Sequence, residues 1–383
     1  MQKPLVSRRD FVSGSAAGAA AFTIMSAQTA LGYQANSKVS VGLIGSGGRG
    51  SYDAGIVHAD PRGRITALCD LFDDRIEKAK QTIKVENPAV YKDFEKLLAS
   101  PDIDAVVIAT PPFEHPRMLE AAVQAKKHIY CEKPAGVDIA GVQRVIAAGR
   151  KCDPTKNLSF GFQQRYGPVY LEAYKRLQNG DIGQLVNARG YWISGDPFKR
   201  EPYPDPKIEH LRNWFCYRDY SGDFIVEQDC HNLDVLHWFL NARPLSAVGR
   251  GGRKVRTNME ILDHLSLTYT FPDEMHVNFE ANQLSPRGFS HVGEQFTGTK
   301  GALDTSRQRM IHIKGPRDEE TIESKRDITN DAIESFLDRV MNGNVENVAE
   351  RSAVSTLFAI LGRTALYTKR EATWKGEFGS IGA

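Results

Sequence analysis

The sequence predicts an α/β fold, an N-terminal doubly wound parallel sheet followed by a C-terminal α+β domain with an open, mostly antiparallel sheet. Three observations carry this. Val39, Val41, Leu43 and Ile44 form a short β-prone run that ends in Gly45-x-Gly47-x-x-Gly50 and enters a helical segment with Ala54, Ile56 and Val57. Buried strands then alternate with amphipathic helices as far as Phe162, the pattern of a parallel sheet. Later the period changes. Leu265, Leu267, Tyr269 and Phe271 alternate with polar residues, Pro272-Asp273-Glu274 turns the chain, and Met275, Val277, Phe279 and Ala281 alternate again, an antiparallel hairpin with one buried face.

Residues 1–35 precede the fold. Ser7-Arg8-Arg9-Asp10-Phe11-Val12 is a twin-arginine pattern, Ala16–Ala27 is apolar and uncharged, and Ala30-Leu31-Gly32 offers small residues for cleavage. This predicts a signal for the Tat export machinery and a periplasmic protein, the apolar stretch being short for a membrane span. Removing Met1–Gly32, with Lys3, Arg8, Arg9 and Asp10, leaves 46 basic and 46 acidic residues, so no basic excess points to nucleic acid. About 350 residues remain, more than a usual single domain, and we expect two: 36–162 and 163–383, with the C-terminal helix able to pack back on the first. The five cysteines are scattered without a Cys-x-x-Cys pair, which predicts neither a zinc site nor a disulfide framework, and no metal is expected.

In the first half, Gly45 allows a tight turn, Gly47 a close approach to a pyrophosphate, and Gly50 close helix–strand packing, with Ser46, Gly48 and Arg49 completing a phosphate-binding turn. Strand Arg64–Asp70 ends in an acid 20 residues after Gly50, where a ribose-binding carboxylate is expected. Asp70 accepts hydrogen bonds from a ribose 2′-hydroxyl and repels a 2′-phosphate, which favours NAD over NADP; Arg49 and Arg75 partly offset that repulsion. Helix Asp73–Lys84 puts Ile76, Ala79 and Ile83 on one face, strand Asp104–Thr110 is stopped by Pro111-Pro112, and helix Glu114–Ala125 follows. Strand Lys127–Cys131 runs into Glu132-Lys133-Pro134. A helix carrying Ile139, Val142, Val145 and Ile146 leads to the last strand, Asn157–Phe162.

Glu132-Lys133-Pro134, together with Gly45–Gly50, Thr110-Pro111-Pro112 and His115, resembles the glucose–fructose oxidoreductase/inositol dehydrogenase (Gfo/Idh/MocA) family, and the resemblance runs from Lys38 to the C-terminus. It implies that Lys133 contacts both the nicotinamide ribose and the substrate hydroxyl. It further implies that Thr110, Pro111, Pro112, His115, Glu132 and Gln163 belong to the cofactor site. The family's second domain often serves subunit pairing, so a homo-oligomer is expected. The chemistry agrees with that role: a lysine at the carboxyl end of a parallel strand projects into the crevice, and its charge lowers the cost of alkoxide character as hydride leaves.

In the second half, Gln163-Gln164-Arg165-Tyr166 leaves the first domain for helix Pro168–Gln178, and Leu185–Ile193, Ala247–Val255 and Arg309–Lys314 read as further strands. Ser221–Asp234 carries a second set of chemical residues. Read as one helix, it aligns Glu227, His231, Asp234 and Trp238 on a stripe, with Leu233, Leu236 and Leu240 for packing. His231 suits proton acceptance from a hydroxyl. Many family members have Asp-x-x-x-His here; this chain has Glu227-x-x-x-His231, which leaves Glu227 to orient the imidazole, to bind a sugar hydroxyl, or to do neither. Gly195–Trp214, rich in proline and aromatics, is expected to form a rim over the pocket or a subunit contact. Arg165, Tyr166, Trp214 and Asp234 are candidate substrate contacts, whereas His237 and the helices Asn330–Met341 and Ala349–Thr368 read as packing.

The expected activity is hydride transfer between a secondary hydroxyl of a sugar, sugar derivative or polyol and a nicotinamide. An exported enzyme finds no ready NAD pool, so it is expected to keep its nucleotide and recycle it in place. One alternative is redox-neutral glycoside hydrolysis or elimination by transient oxidation, which some family relatives perform. Another is a non-catalytic nucleotide- or sugar-binding protein.

Overall fold

The computed structural model describes residues 38–381, so the twin-arginine leader lies outside the described residues. Strands β1 (Val39–Ile44), β2 (Gly63–Cys69), β3 (Ala89–Tyr91), β4 (Ala105–Ile108), β5 (His128–Cys131) and β6 (Leu158–Phe160) form a parallel sheet in the order β3-β2-β1-β4-β5-β6. Every residue of β1 and β4 is buried, because helices cover both faces. These are α1 (Gly48–Ala59), α2 (Asp73–Ile83), α3 (His115–Gln124) and α4 (Ile139–Arg150). The apolar face expected on α2, Ile76, Ala79 and Ile83, is buried, and so are Met118, Leu119, Ala122 and Val123 on α3. The strand order reverses between β1 and β4, which opens a crevice at their carboxyl ends.

The second unit contains α5 (Pro168–Gln178), β7 (Leu185–Ile193), α6 (Cys230–Leu240), β8 (Ser246–Gly252), β9 (His264–Thr270), β10 (His276–Asn282), β11 (His291–Gly298), β12 (Ala302–Thr305), β13 (Arg309–Gly315) and β14 (Asp318–Glu323). After β14 come α7 (Ile328–Asn342), α8 (Ala349–Thr368) and β15 (Ala372–Thr373). The nine strands make an open sheet, antiparallel except where β7 runs parallel to β10. The expected hairpin is β9–β10, and its Leu265, Leu267, Tyr269, Val277, Phe279 and Ala281 are all buried. Three strands carried no apolar alternation to announce them. The inward position of β11 includes the buried Glu294, β12 is short, and β14 is a charged edge, composition that discourages pairing with another sheet.

The chain then returns to the first domain. Ile333, Phe336 and Leu337 of α7 share a buried cluster with Val39, Leu43 and Tyr130, and Leu158 of β6 exchanges backbone hydrogen bonds with Glu346 and Val348. Helix α8 is buried along most of its length and packs against α4, α6 and β8, so one apolar core runs through both domains. That shared core holds the crevice and the second sheet in a fixed relation. Among the described residues, no helix is long and apolar enough to cross a membrane.

Candidate active site

A cavity of about 510 Å³ lies at the carboxyl ends of β1, β2, β4 and β5 and is closed on its far side by the second domain. One end is the glycine turn. Gly45 has φ +94°, and a Cβ there would lie 2.6 Å from the Ala109 carbonyl oxygen. A Cβ on Gly50 would lie 2.0 Å from the Gly45 oxygen, so only glycine lets α1 start this close to β1. Gly47 and Gly48 behave oppositely: a Cβ on either meets nothing within 4 Å, and both line the cavity. Gly47 caps α1 without a side chain, which leaves the first-turn N–H groups for an anion. Asp70 follows β2 in the same wall, its carboxylate held by the Ser46 and Phe72 N–H groups at 2.9 Å each. Bare backbone, free N–H groups and a fixed carboxylate fit a dinucleotide's phosphates and ribose.

The other end holds Lys133, Glu227 and His231. Lys133 Nζ donates to Glu227 Oε1 at 3.0 Å and to the Glu227 carbonyl, and both side chains are largely buried. Burial opposes the Lys133 charge, but Glu227, Cys230 and Glu132 more than offset it, so its pKa is raised and it stays a cation. His231 is buried, and burial together with Lys133, Arg307 and Arg49 holds its pKa well below 6.5. The imidazole is therefore neutral at pH 7, and its Nδ1 has no partner among the described residues. Its ring stacks on Trp192 at 6.1 Å. His115 ties the two loops behind Lys133 together, with Nδ1 2.8 Å from the Pro134 oxygen and Nε2 3.0 Å from that of Thr110.

The helix expected over Ser221–Asp234 is broken. The N–H groups of both Gln228 and Asp229 point to the Phe224 carbonyl, which widens the turn and separates Phe224–Glu227 from α6. Glu227 and His231 still reach the cavity, but Asp234 turns away. It accepts both Nε and Nη2 of Arg165 at 2.8–3.0 Å and the Ser355 hydroxyl at 2.6 Å, locking α6 to α8. Glu227 engages Lys133 and makes no hydrogen bond to His231.

The cavity wall includes Gly45, Gly47, Gly48, Arg49, Asp70, Arg75, Thr110, Pro111, Pro112, His115, Glu132, Lys133, Trp214, Glu227 and His231. Ser46 and Gly50 support it from behind. Gln163 is buried against Thr329 at 2.8 Å, Tyr166 points its hydroxyl at Glu346, and Arg165 stacks over Trp238 at 5.3 Å, so these three stand outside the wall. The structure adds Trp192, Gln228 and Arg307, which sit on strand ends and loops without a motif to mark them. The excursion over Gly195–Trp214 does form a rim, with Pro197, Phe198 and Arg212 in the wall. Arg212 crosses to the first domain: its guanidinium is bidentate on Asp74 at 2.6 and 2.9 Å and lies 4.0 Å from the Phe72 ring.

A family model described as an oxidoreductase family with an NAD-binding Rossmann fold matches residues 39–155, and the GFO/IDH/MocA C-terminal domain matches residues 170–304. The uncharacterized oxidoreductase YrbE of Bacillus subtilis is 27% identical over 283 residues, 72% of this chain and 76% of that protein. Myo-inositol 2-dehydrogenase of Thermotoga maritima is 28% identical over 200 residues, which span 52% of this chain and about half (54%) of that enzyme. The crystal structure of scyllo-inositol dehydrogenase from Lactobacillus casei with bound NAD(H) and scyllo-inositol superposes with a TM-score of 0.70 over 88% of this chain and 99% of that chain, at 20% identity, a likeness of fold.

Proposed function

We propose that this chain, which belongs to the GFO/IDH/MocA oxidoreductase family and is an NAD-dependent oxidoreductase of CH–OH groups, acts on a secondary hydroxyl of a sugar, sugar derivative or polyol outside the cytoplasm, on a nucleotide that it retains. One observation carries the chemistry: Lys133 and His231 converge at one end of a cavity whose other end is a glycine turn followed by Asp70. When bound, the nicotinamide supplies the hydride acceptor in oxidation and the donor in reduction. Lys133 steadies the substrate oxygen as negative charge grows on it. His231, held neutral, takes the hydroxyl proton during oxidation and returns it during reduction. Glu227 keeps the Lys133 ammonium aimed into the cavity.

Asp70 favours NAD over NADP, with Arg75 as the nearby counterweight. Retention is supported by Arg212 and Asp74, which join the two domains across the end of the cavity that receives the adenosine. The twin-arginine pattern supports export. The open face of the second sheet, with Val186, Val248 and Ile313 exposed, is where we place subunit pairing. The test is to denature protein purified from the exported fraction without added nucleotide and identify what it releases by mass spectrometry and absorbance. Near-stoichiometric NAD(H) is expected, together with interconversion of paired sugars. An empty protein overturns retention, and release of an aglycone without net redox change assigns the site to glycoside cleavage instead.

A further inference from the structure

Resting on that reading, we propose that Arg307 binds a carboxylate on the substrate, so that the enzyme's substrates are acidic sugars such as uronic or aldonic acids.

Seven lysine and arginine side chains line the cavity, and five of them are ion-paired. Arg49, next to the glycine turn, sits 3.4 Å from Asp53, and Lys133, at the catalytic end, 3.0 Å from Glu227. Arg75, at the far end beside Asp70, has no ion pair among the described residues and is partly exposed to solvent. Arg307 differs from all of these. Among the described residues it has no ion pair and no hydrogen bond, and its Nε is shut off from solvent. Its guanidinium lies 5.5 Å from the Trp192 ring, whose other neighbour is the His231 imidazole at 6.1 Å. A guanidinium cannot relieve this burial by losing its proton. Arg307 as a whole is half-buried, but an Nε donor shut off from water without a partner is costly, and the cost is recovered when a ligand accepts from it.

No carboxylate reaches Arg307 at ion-pair distance among the described residues. Two carboxyls act on Arg307 from a distance without forming an ion pair with it: Asp327, held below its usual range in part by Arg307, and Glu294 of β11, whose burial pushes its pKa up to about 8. Its oxygens are taken by Asn232 at 2.6 Å and Thr305 at 2.7 Å. A guanidinium with no ion-pair or hydrogen-bond partner in contact has its donors free for an anion, and its planar fork suits the two oxygens of a carboxylate. Trp192 fixes the geometry: a sugar ring anchored by its acid at Arg307 has Lys133 and His231 close by for one of its ring hydroxyls.

The nucleotide also carries anions, and the experiment separates the two sources. Glucuronate, galacturonate and gluconate, each paired with its neutral parent or methyl ester, are titrated calorimetrically into the NADH-saturated protein, wild type and Arg307→Gln, with NADH affinity measured on both. We expect at least one acid to bind wild type about tenfold or more tighter than its neutral partner, as for a charge-assisted pair. That preference should fall to within about twofold in Arg307→Gln, with NADH affinity unchanged. Arg307→Lys, which keeps the charge without the fork, should restore part of it and covers a failure of the glutamine variant to fold. No preference in wild type, or a preference that survives Arg307→Gln, overturns the proposal. Loss of NADH affinity in its place assigns Arg307 to the nucleotide's phosphates and overturns it too. Because binding is read directly, these outcomes are independent of turnover: neutral sugars oxidised with no acid bound would refute this inference and leave the oxidoreductase reading intact.

Discussion

Replacing Arg212 with alanine should let the nucleotide leave faster. Arg212 belongs to the substrate-side rim, yet both of its strongest contacts lie on the first domain: two hydrogen bonds to Asp74 at 2.6 and 2.9 Å, and the Phe72 ring at 4.0 Å. Asp74 is more than half exposed, so the ion pair contributes only about 0.2–1 kcal/mol, near the upper end for bidentate geometry. The cation–π contact adds about 0.5–1 kcal/mol. If the rim must lift for release, losing both contacts lowers the barrier by about 1–2 kcal/mol, a 5- to 30-fold faster dissociation. Asp74→Ala removes the ion pair alone and should give about 2- to 5-fold. Raising the salt concentration to ~1 M should move wild type toward Asp74→Ala and leave Arg212→Ala unchanged, because the pair is screened and the variant has none. The assay is stopped-flow decay of bound NADH fluorescence on mixing with excess NAD. A release rate in Arg212→Ala within twofold of wild type would mean that the rim does not gate the nucleotide.

Lys133→Met should lower kcat by about 10²–10³-fold with NADH affinity changed less than threefold, as for loss of one preorganised donor to a developing oxyanion; normal turnover in that variant would remove Lys133 from the mechanism. Because His231 is held neutral, kcat/KM for oxidation should stay flat as pH falls from 7.5 through 6.5, and a loss titrating at 6.5 would contradict the burial argument. Glu294 titrates at about 8 when folded and near 4.5 when unfolded, so the native state holds the extra proton between those values and loses stability as pH rises through them. Glu294→Gln lacks that slope, and urea unfolding should show it gaining roughly 3 kcal/mol relative to wild type between pH 4.5 and pH 7; a pH-independent difference would show Glu294 to be ionised throughout. Gly47→Ala, facing open cavity, should fold with wild-type stability and bind NADH at least tenfold more weakly, whereas Gly50→Ala should lower Tm because its Cβ meets the Gly45 oxygen; equal stability of the two would refute the packing role of Gly50.

Local pattern made most of the first domain legible. Strand runs, helix periods and the glycine spacing are contained within about 30 residues, and chain connectivity alone carries Gly45, Gly47, Asp70 and Lys133 to the ends of adjacent parallel strands. The β9–β10 hairpin was equally plain, because a two-residue period and a turn specify it without outside help. Strands β11 and β14 were hidden for a physical reason: one buries a carboxyl in hydrogen bonds to Asn232 and Thr305, and the other is a charged edge with little to bury.

The site divides along the same line. Sequence alone determined the residue types at the nucleotide end and placed Glu227 and His231 four residues apart. It did not determine what each would face. Asp234 lies three residues after His231 on the same helix, yet Arg165 and Ser355 hold it at the α6–α8 junction. Glu227 meets Lys133, 94 residues away, and Trp192 and Arg307 enter the cavity from sheet strands and loops that carry no motif. Those partnerships depend on where α8 docks the two domains on one shared core, and no local period along the chain encodes that docking.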